Sequence, residues 1–342
     1  LSGIDAGYPY ACKILFTYLY NGVYSAPGGY RFKETLADPA RTPLFVSLDT
    51  AVNETNLFAD YIVPDLCYPE GHYGWLNPHA PAHTFTGLRT PMIEPLTGRT
   101  RDGRAFCTET LLIDLALALG LPGFGDGAIA GADGSTHPLR RAEDFYLRAF
   151  ANIAHNAKVP PATAEDAAFV ERNYPVARHK GILRPAEWAK VSSMLARGGV
   201  FTDYAAGFEA GRFKHGLGRY AIYNEALAAT RDARDGKRQP GTPLAAPPRF
   251  TDGRLMDGLD PGHAFTVITY KRHLHTQSRS LWCSRAMEIL PENFVELNAL
   301  DAVKLGVRDG DRVRLASASN PQGVAGTVKA TQLIRPGCVG VS

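Results

Sequence analysis

The sequence predicts an α/β fold in which a parallel β-sheet is followed by a smaller β-barrel. Two observations support this prediction. Near the amino terminus, almost continuously apolar runs alternate with helix-like stretches, which is typical of a parallel sheet buried on both faces. From residue 264 onward, short β-prone runs are joined by Asp-Gly and Pro-Gly turns, a spacing that is typical of a small barrel.

Length and composition indicate an ordinary globular protein. The 342 residues suggest two or three domains, with 45% hydrophobic and 21% charged residues. The net charge of +3 gives no support to nucleic-acid binding or a membrane-surface role. No apolar run reaches the roughly 18 residues that a membrane span needs. The chain opens without methionine, close to a strand, so we expect it to be an internal part of a longer protein.

Residues 1–197 are predicted to form the α/β domain. Its parallel strands are expected at residues 13–20, 43–49 and 60–64. Ligands of such sheets bind beyond the carboxyl ends of the strands. We therefore expect Asn21, residues 49–56 and Asp65 to face a site.

The second half of this domain is predicted to be largely helical. Residues 66–107 are rich in glycine, proline and histidine and are expected to form a long loop. Thr108 then precedes a helix that stops at Gly120. Three further amphipathic stretches predict helices within residues 141–157, 162–174 and 184–199.

Residues 198–262 contain many glycines, prolines and charges and are predicted to connect the two domains. Residues 263–342 are predicted to form the barrel. Within them, Asn298 is the expected cap of a short helix that stops at Gly306, followed by two strands.

The sequence gives little support for a metal or iron–sulfur site, a phosphate-binding loop or a serine nucleophile. The five cysteines are scattered without a CxxC pair, which argues against an iron–sulfur cluster or zinc ribbon held within this chain. His72, His79 and His83 suggest a metal site, but Pro81 opposes the regular helix that would align two of them, so ordinary loop histidines are favoured. "GLPGFGDG" follows a helix instead of a strand, and no GxSxG motif nominates a serine nucleophile.

The stretch "HLHTQSRSLW", residues 273–282, is the strongest candidate for ligand binding. It follows the β-prone "AFTVITY" and concentrates hydrogen-bond donors. The guanidinium of Arg279 can bind phosphate through two parallel hydrogen bonds, and the Gln277 amide suits heterocyclic nitrogen and oxygen atoms. The alternative is a solvated loop whose hydroxyl groups cap the next turn.

Three segments resemble the molybdopterin oxidoreductases of the dimethyl sulfoxide reductase superfamily. They are "PLFVSLDTAVNETNLFADYIVPD", "TYKRHLHTQSRSLW" and "ENFVELNALDAVKLGVRDGDRVRLAS", in the order and spacing of that superfamily. The resemblance implies that the carboxyl-terminal barrel is of the double-psi type and binds a molybdopterin dinucleotide.

The resemblance also implies a cofactor and the residues that bind it. The cofactor is bis-molybdopterin guanine dinucleotide with molybdenum, and a 4Fe-4S cluster is expected in the full-length chain, outside these residues. The metal ligand is expected upstream, so no catalytic or metal-binding residue is assigned here. The implied cofactor-binding residues are His275, Thr276, Gln277, Ser278, Arg279 and Ser280.

Within the superfamily, three segments most resemble those of members that reduce tetrathionate to thiosulfate. They are "LPGFGDGAI", "RAEDFYLRAFANIA" and "HTQSRSLW". Arsenate reductases and other sulfur-oxyanion or polysulfide reductases are the alternatives. A non-catalytic electron-transfer or scaffold subunit with the same fold is an alternative of another class. "CYPEGHYGW" departs from the superfamily pattern, although Glu70 and Gly71 partly keep it.

The resemblance further implies a periplasmic enzyme that takes a small oxyanion and no nucleic acid. Two partners are expected, one of them an iron–sulfur electron-transfer subunit, the other a membrane-anchor subunit. A basic funnel would attract the dianionic substrate. The candidates for its lining are His72, His79, His83 and Arg89. The isolated chain is expected to be inactive.

Overall fold

A computed structural model of the chain describes most of the 342 residues in two compact units, Leu1–Leu217 and Gly218–Ser342. The residues outside the description are 72, 78–84, 215–220, 233–235, 248, 250–253, 256–261, 276–279 and 319. The boundary after Leu217 falls inside the segment that is predicted to connect the two domains.

The elements of the described residues are numbered in chain order. The strands are β1 (Leu15–Tyr18), β2 (Phe45–Asp49), β3 (Tyr61–Pro64), β4 (Gly74–Leu76), β5 (Phe85–Arg89), β6 (Gly125–Ala130), β7 (Thr136–Leu139), β8 (Gly199–Phe201), β9 (Phe208–Glu209), β10 (Arg212–Phe213), β11 (Thr266–Thr269), β12 (Val295–Asn298), β13 (Arg312–Ser317), β14 (Asn320–Thr331) and β15 (Cys338–Val341). The α-helices are α1 (Ser2–Ala6), α2 (Gly22–Ser25), α3 (Lys33–Ala37), α4 (Thr108–Ala118), α5 (Ala142–Asn156), α6 (Ala164–Asn173), α7 (Pro185–Arg197), α8 (Glu225–Ala228), α9 (Ser284–Ile289) and α10 (Ala299–Leu305). Short 3-10 helices occupy Gly29–Phe32, Asn56–Phe58, Pro175–Ile182 and Tyr204–Gly207.

The first unit contains the predicted parallel sheet. β1, β2 and β3 pair in that order, both pairs being parallel, which confirms the three predicted strands. The central strand β2 is buried along its whole length. One of its faces packs through Val46 and Leu48 against Leu111 of α4, and Phe45 on the other face packs against Val23 and Leu36. Burial on both faces explains why β2 reads as a continuous apolar run.

A helical layer forms the largest core of this unit. Buried side chains of α5, α6 and α7, including Phe150, Val170 and Met194, pack together. Two of these helices begin or end at a residue with a clear local signal. The Thr163 hydroxyl accepts a hydrogen bond from the third residue of α6, and α7 ends at Gly198 in the left-handed conformation, with φ of 77°. The three predicted helices are confirmed.

The prediction that residues 66–107 form only a loop is wrong. β4 and β5 lie within them and form an antiparallel sheet with β8. A β-carbon at Gly199 of β8 would lie 2.1 Å from the Thr86 carbonyl oxygen, so only glycine allows this approach. The first residues of the predicted connecting segment 198–262 are therefore a strand of this unit.

The helix stop at Gly120 is confirmed, since Gly120 has φ of 63° just after α4. The glycine-rich stretch "GLPGFGDG" that follows leads into β6, which begins at Gly125 and forms an antiparallel hairpin with β7.

The second unit contains strands within residues 263–342, where they were predicted, together with helices α8, α9 and α10. Its main sheet has the order β11-β15-β12-β14-β13, with both parallel and antiparallel pairs. Val295, Leu297, Val328 and Val339 form its buried core. The strands are those of a mixed sheet, and the double-psi barrel stays a prediction.

The predicted short helix of this unit is confirmed as α10. The Asn298 side chain accepts a hydrogen bond from the Leu300 amide at 2.9 Å, and Gly306 ends the helix with φ of 70°. Asn298 also donates from Nδ2 to the Ile334 carbonyl at 2.7 Å, so it fastens the helix start to a second segment.

Among the described residues, no helix combines the length and the apolar character that crossing a membrane would require.

Candidate functional site

A buried polar network occupies the carboxyl end of β2. Asp49 ends the strand, and its carboxylate accepts hydrogen bonds from the Thr50 amide at 2.8 Å and from Nδ2 of Asn53 at 3.0 Å. The Asn53 side-chain oxygen in turn accepts from the amides of Thr55 and Asn56, both at 3.0 Å. These bonds satisfy the backbone of a tight turn without water, so they fix its shape.

The same network joins the ends of β1 and β2. The Thr55 hydroxyl, fully buried, donates to Oδ1 of Asn21 at 2.9 Å and accepts from the Val23 amide at 2.9 Å. Nδ2 of Asn21 donates to Oε2 of Glu54 at 2.6 Å. The structure therefore brings together Asn21 and residues 49–56, as the strand-end argument predicts. Many of their polar atoms bond to one another, so these residues form a rigid structural frame at the strand ends.

Asp65, at the end of β3, differs from its neighbours. It is 7% exposed, and its Oδ1 accepts from the amide of Thr108, the first residue of α4, at 3.0 Å. Its Oδ2 is buried and has no hydrogen-bond partner within the described part of the chain. Burial, followed by the charge of Asp65, raises the pKa of the nearby Tyr18 to about 12. The edge of the sheet thus keeps one carboxylate oxygen available as an acceptor.

A cavity of about 340 Å³ opens beside the start of α4 in the first unit. Its lining includes Tyr73, Glu143, Arg178 and His179. Nε of Arg178 donates to Nε2 of His179 at 3.0 Å, and the Arg178 guanidinium also pairs with Glu94. Burial lowers the pKa of His179 despite the nearby Glu143 carboxylate. No sequence motif predicted this cavity, because the residues that line it come from segments far apart in the chain.

Only the two ends of the predicted cofactor loop, residues 275–280, are described. His275 bonds through Nδ1 to the Ser280 hydroxyl at 3.1 Å and through Nε2 to the Leu290 carbonyl at 2.8 Å. The other members, Thr276, Gln277, Ser278 and Arg279, lie outside the described residues. The assignment of all six as cofactor-binding residues stays a prediction.

Of the four residues predicted to line a substrate funnel, Arg89 is described by the structure. His72, His79 and His83 lie outside the described residues. Arg89 places its guanidinium carbon 5.1 Å from the centre of the Tyr68 ring, an arrangement that orients the cation on an aromatic face. Within the described ranges, no group of three His, Cys, Asp or Glu side chains is arranged to hold a metal ion.

A buried charge cluster lies directly before the 275–280 loop in the sequence. Nη2 of Arg272 lies 3.0 Å from Oε1 of Glu296 on β12, with both side chains mostly buried. The Arg272 guanidinium carbon lies 5.0 Å from the centre of the Tyr270 ring. Burial and the Glu296 carboxylate raise the pKa of Tyr270 to about 12. This cluster fastens the chain between β11 and the loop to the central strand of the sheet.

Comparisons with known proteins identify a family match and similar proteins. Residues 264–342 match the family described as "Molydopterin dinucleotide binding domain". The chain is 36% identical to a tetrathionate reductase subunit of Salmonella typhimurium over 98% of its own length. The chain is thus similar, over nearly its whole length, to a subunit of a known reductase, and its carboxyl-terminal part matches a molybdopterin dinucleotide-binding domain.

Two further comparisons concern another reductase subunit and a solved structure. The chain is 32% identical to a selenate reductase subunit of Mesobacillus selenatarsenatis over 99% of its length. Acetylene hydratase from Pelobacter acetylenicus shares the fold, with a TM-score of 0.56, 14% identity and coverage of 99% of this chain and 38% of that chain. The chain spans 33% of the Salmonella protein and 34% of the Mesobacillus protein, about a third of each.

Proposed function

We propose that this chain is part of a molybdenum-dependent reductase that binds bis-molybdopterin guanine dinucleotide and reduces tetrathionate to thiosulfate. The observation that carries the proposal is the 36% identity to the Salmonella tetrathionate reductase subunit, which extends over 98% of the chain and both units. A non-catalytic scaffold is the weaker alternative, because a scaffold has no use for the many hydrogen-bond donors of the 275–280 loop.

The residues of each unit have the chemistry that the cofactor needs. In the first unit, the unpartnered Oδ2 of Asp65 can accept a hydrogen bond from a ring nitrogen or an amino group, which guanine offers. In the second unit, the side chains of residues 275–280 include hydroxyl, amide and guanidinium donors, which suit the pyrophosphate. The donor and acceptor groups therefore fit a guanine dinucleotide.

The bound molybdenum would supply the two-electron chemistry, and the protein would hold and orient the dinucleotides. Arg279 is the residue proposed to bind phosphate, and Gln277 and Ser278 are proposed to bind polar atoms of the same dinucleotide. Asn21 and Thr55 would act as the rigid frame of the strand ends, since their polar atoms bond to each other and to backbone.

In the proposed reaction, tetrathionate accepts two electrons, its central S–S bond breaks, and two thiosulfate ions leave. Electrons would arrive through a 4Fe-4S cluster in the full-length protein and through an iron–sulfur partner subunit. The proposal also includes a membrane-anchor subunit, together with a periplasmic location. These elements rest on the family resemblance.

Reduction of selenate is a second candidate, favoured by the 32% identity to the Mesobacillus selenate reductase subunit over 99% of the chain. Tetrathionate and selenate are both dianions, so a basic funnel would attract either one. Arsenate stays the third candidate, since the arsenate respiratory reductase subunit of Chrysiogenes arsenatis is 24% identical over 97% of the chain.

The test uses the protein expressed from its complete gene in a host that makes the cofactor. Molybdenum and guanine nucleotide are measured per chain, and reduced viologen dye drives reduction of tetrathionate, selenate or arsenate. The proposal expects two guanine nucleotides per molybdenum and the highest kcat/KM for tetrathionate. A folded protein that carries neither molybdenum nor guanine nucleotide would overturn the cofactor assignment. Full cofactor with a preference for selenate would overturn only the substrate.

A further inference from the structure

His275 connects three points of the chain around the predicted cofactor loop. Nε2 lies 2.8 Å from the carbonyl oxygen of Leu290, the residue directly after α9, and a carbonyl oxygen can only accept. Nε2 therefore carries the proton. In the neutral ring, Nδ1 is then the acceptor, and the Ser280 hydroxyl, 3.1 Å away, donates to it. One side chain thus ties the start of the loop to its end and to the end of α9.

We propose that His275 is a positioning residue that sets the distance between the two ends of the 275–280 loop, leaving contact with the dinucleotide to the residues between them. This inference rests on the proposed function. Its basis is that both ring nitrogens already bond to protein atoms, so the ring has no free hydrogen-bonding atom for a ligand. It departs from the sequence prediction that His275 and Ser280 themselves bind the cofactor.

The physical benefit is preorganisation. A loop that becomes ordered only when its ligand binds loses conformational entropy at that moment, which weakens binding. Fixing both ends of a six-residue loop in advance removes part of that loss. The preceding chain is also held, because Arg272 forms its ion pair with Glu296 on the central strand of the sheet. His275 then continues this anchoring to the far side of the loop.

The test combines two measurements on the protein expressed from its complete gene. The first is hydrogen–deuterium exchange of the amides of residues 280–290 in cofactor-free protein, purified from a host that cannot make the cofactor. The second is molybdenum retained per chain after prolonged dialysis of the loaded protein. The variants are His275→Phe, which keeps a ring without hydrogen bonds, His275→Gln, which keeps a donor for Leu290, and Ser280→Ala.

Two lost hydrogen bonds should raise the exchange rates in His275→Phe by roughly tenfold and speed cofactor loss by a similar factor. Ser280→Ala should show about a threefold effect, and its effect together with His275→Phe should be smaller than the product of the two separate effects, because the two side chains share one hydrogen bond. His275→Gln should recover most of both properties. The matched control is His273→Phe, since His273 is exposed in the same segment; its exchange rates and cofactor retention should equal those of the unaltered protein.

Each alternative role gives a different pattern. If His275 were a direct ligand, cofactor would be lost from His275→Phe while exchange in the cofactor-free protein stayed unchanged. If its role were merely structural, exchange would rise while cofactor retention stayed unchanged. Either pattern overturns the positioning role. Failure of the proposed function is distinct, because unaltered protein would then contain no molybdenum.

Discussion

The substitution Thr55→Val isolates the hydrogen bonds that hold the ends of β1 and β2 together. Thr55 is fully buried, so valine keeps the branched shape and removes only the hydroxyl. The Val23 amide then loses its acceptor and Oδ1 of Asn21 loses its donor, and both residues are themselves buried, at 6% and 5% exposure. Each unsatisfied buried group costs about 1–3 kcal/mol, so the two groups together should cost roughly 2–6 kcal/mol.

Urea unfolding measures this cost for the unit, and faster exchange of the Val23 amide reports the loss of its acceptor. The matched control is Thr136→Val on β7, where the side chain is exposed and the expected change is within about 0.5 kcal/mol. A cost for Thr55→Val as small as that of the control would refute the reasoning, because the strand ends would then not depend on this network. In the loaded protein, Thr55→Val should also reduce molybdenum content.

Three further predictions concern other parts of the chain. Arg279→Ala and Gln277→Ala should reduce molybdenum content per chain by roughly ten- to a hundredfold before they alter substrate preference, since a charge-assisted hydrogen bond contributes about 1.5–3 kcal/mol; wild-type content with altered preference would show that the loop faces substrate. Glu187→Gln should cost about 3–5 kcal/mol in urea unfolding, because it leaves the buried Arg148 without its carboxylate partner at 2.6 Å. Burial raises the pKa of Glu187, but hydrogen bonds from two arginines lower it from 4.5 to about 2, so its stabilisation is present above pH 4.5 and lost as pH falls toward 2, and the variant should lack that acid-dependent loss. Asn298→Ala should cost about 1 kcal/mol or more in the second unit, measured by exchange of the Leu300 amide.

The features that the sequence predicted correctly are those whose causes are local. β2 could be predicted because burial on both faces demands a continuous apolar run. α10 could be predicted because Asn298 and Gly306 act within one turn of its ends. The pairing of β5 with β8 could not be predicted, because it joins residues more than a hundred positions apart through the close approach that Gly199 allows.

The same distinction applies to the candidate site. The strand-end rule identified Asn21 and Asp65 because parallel strands bring their carboxyl ends to one edge. The ion pair between Arg272 and Glu296 joins separate segments of the chain and has no signature in the sequence. The wall of the cavity around His179 is likewise a tertiary feature, since its residues come from four separate segments.

The two polar regions of the chain differ in how their hydrogen-bonding groups are used. Around Asn53, side-chain atoms bond to neighbouring backbone, which rigidifies a region at little cost because few buried groups stay unpaired. At that edge, Oδ2 of Asp65 and the neighbouring Oγ1 of Thr108 are buried and have no hydrogen-bond partner among the described residues, and leaving such atoms unpaired is costly unless a ligand completes them. His275 repeats the first pattern at the ends of its loop. When the hydrogen bonds of such a frame are complete, few polar groups are left for the cofactor. Binding of the cofactor then depends on those few groups. Substitutions in the frame should therefore change how firmly the cofactor is kept, and substitutions of Asp65 or Arg279 should change whether it is bound at all.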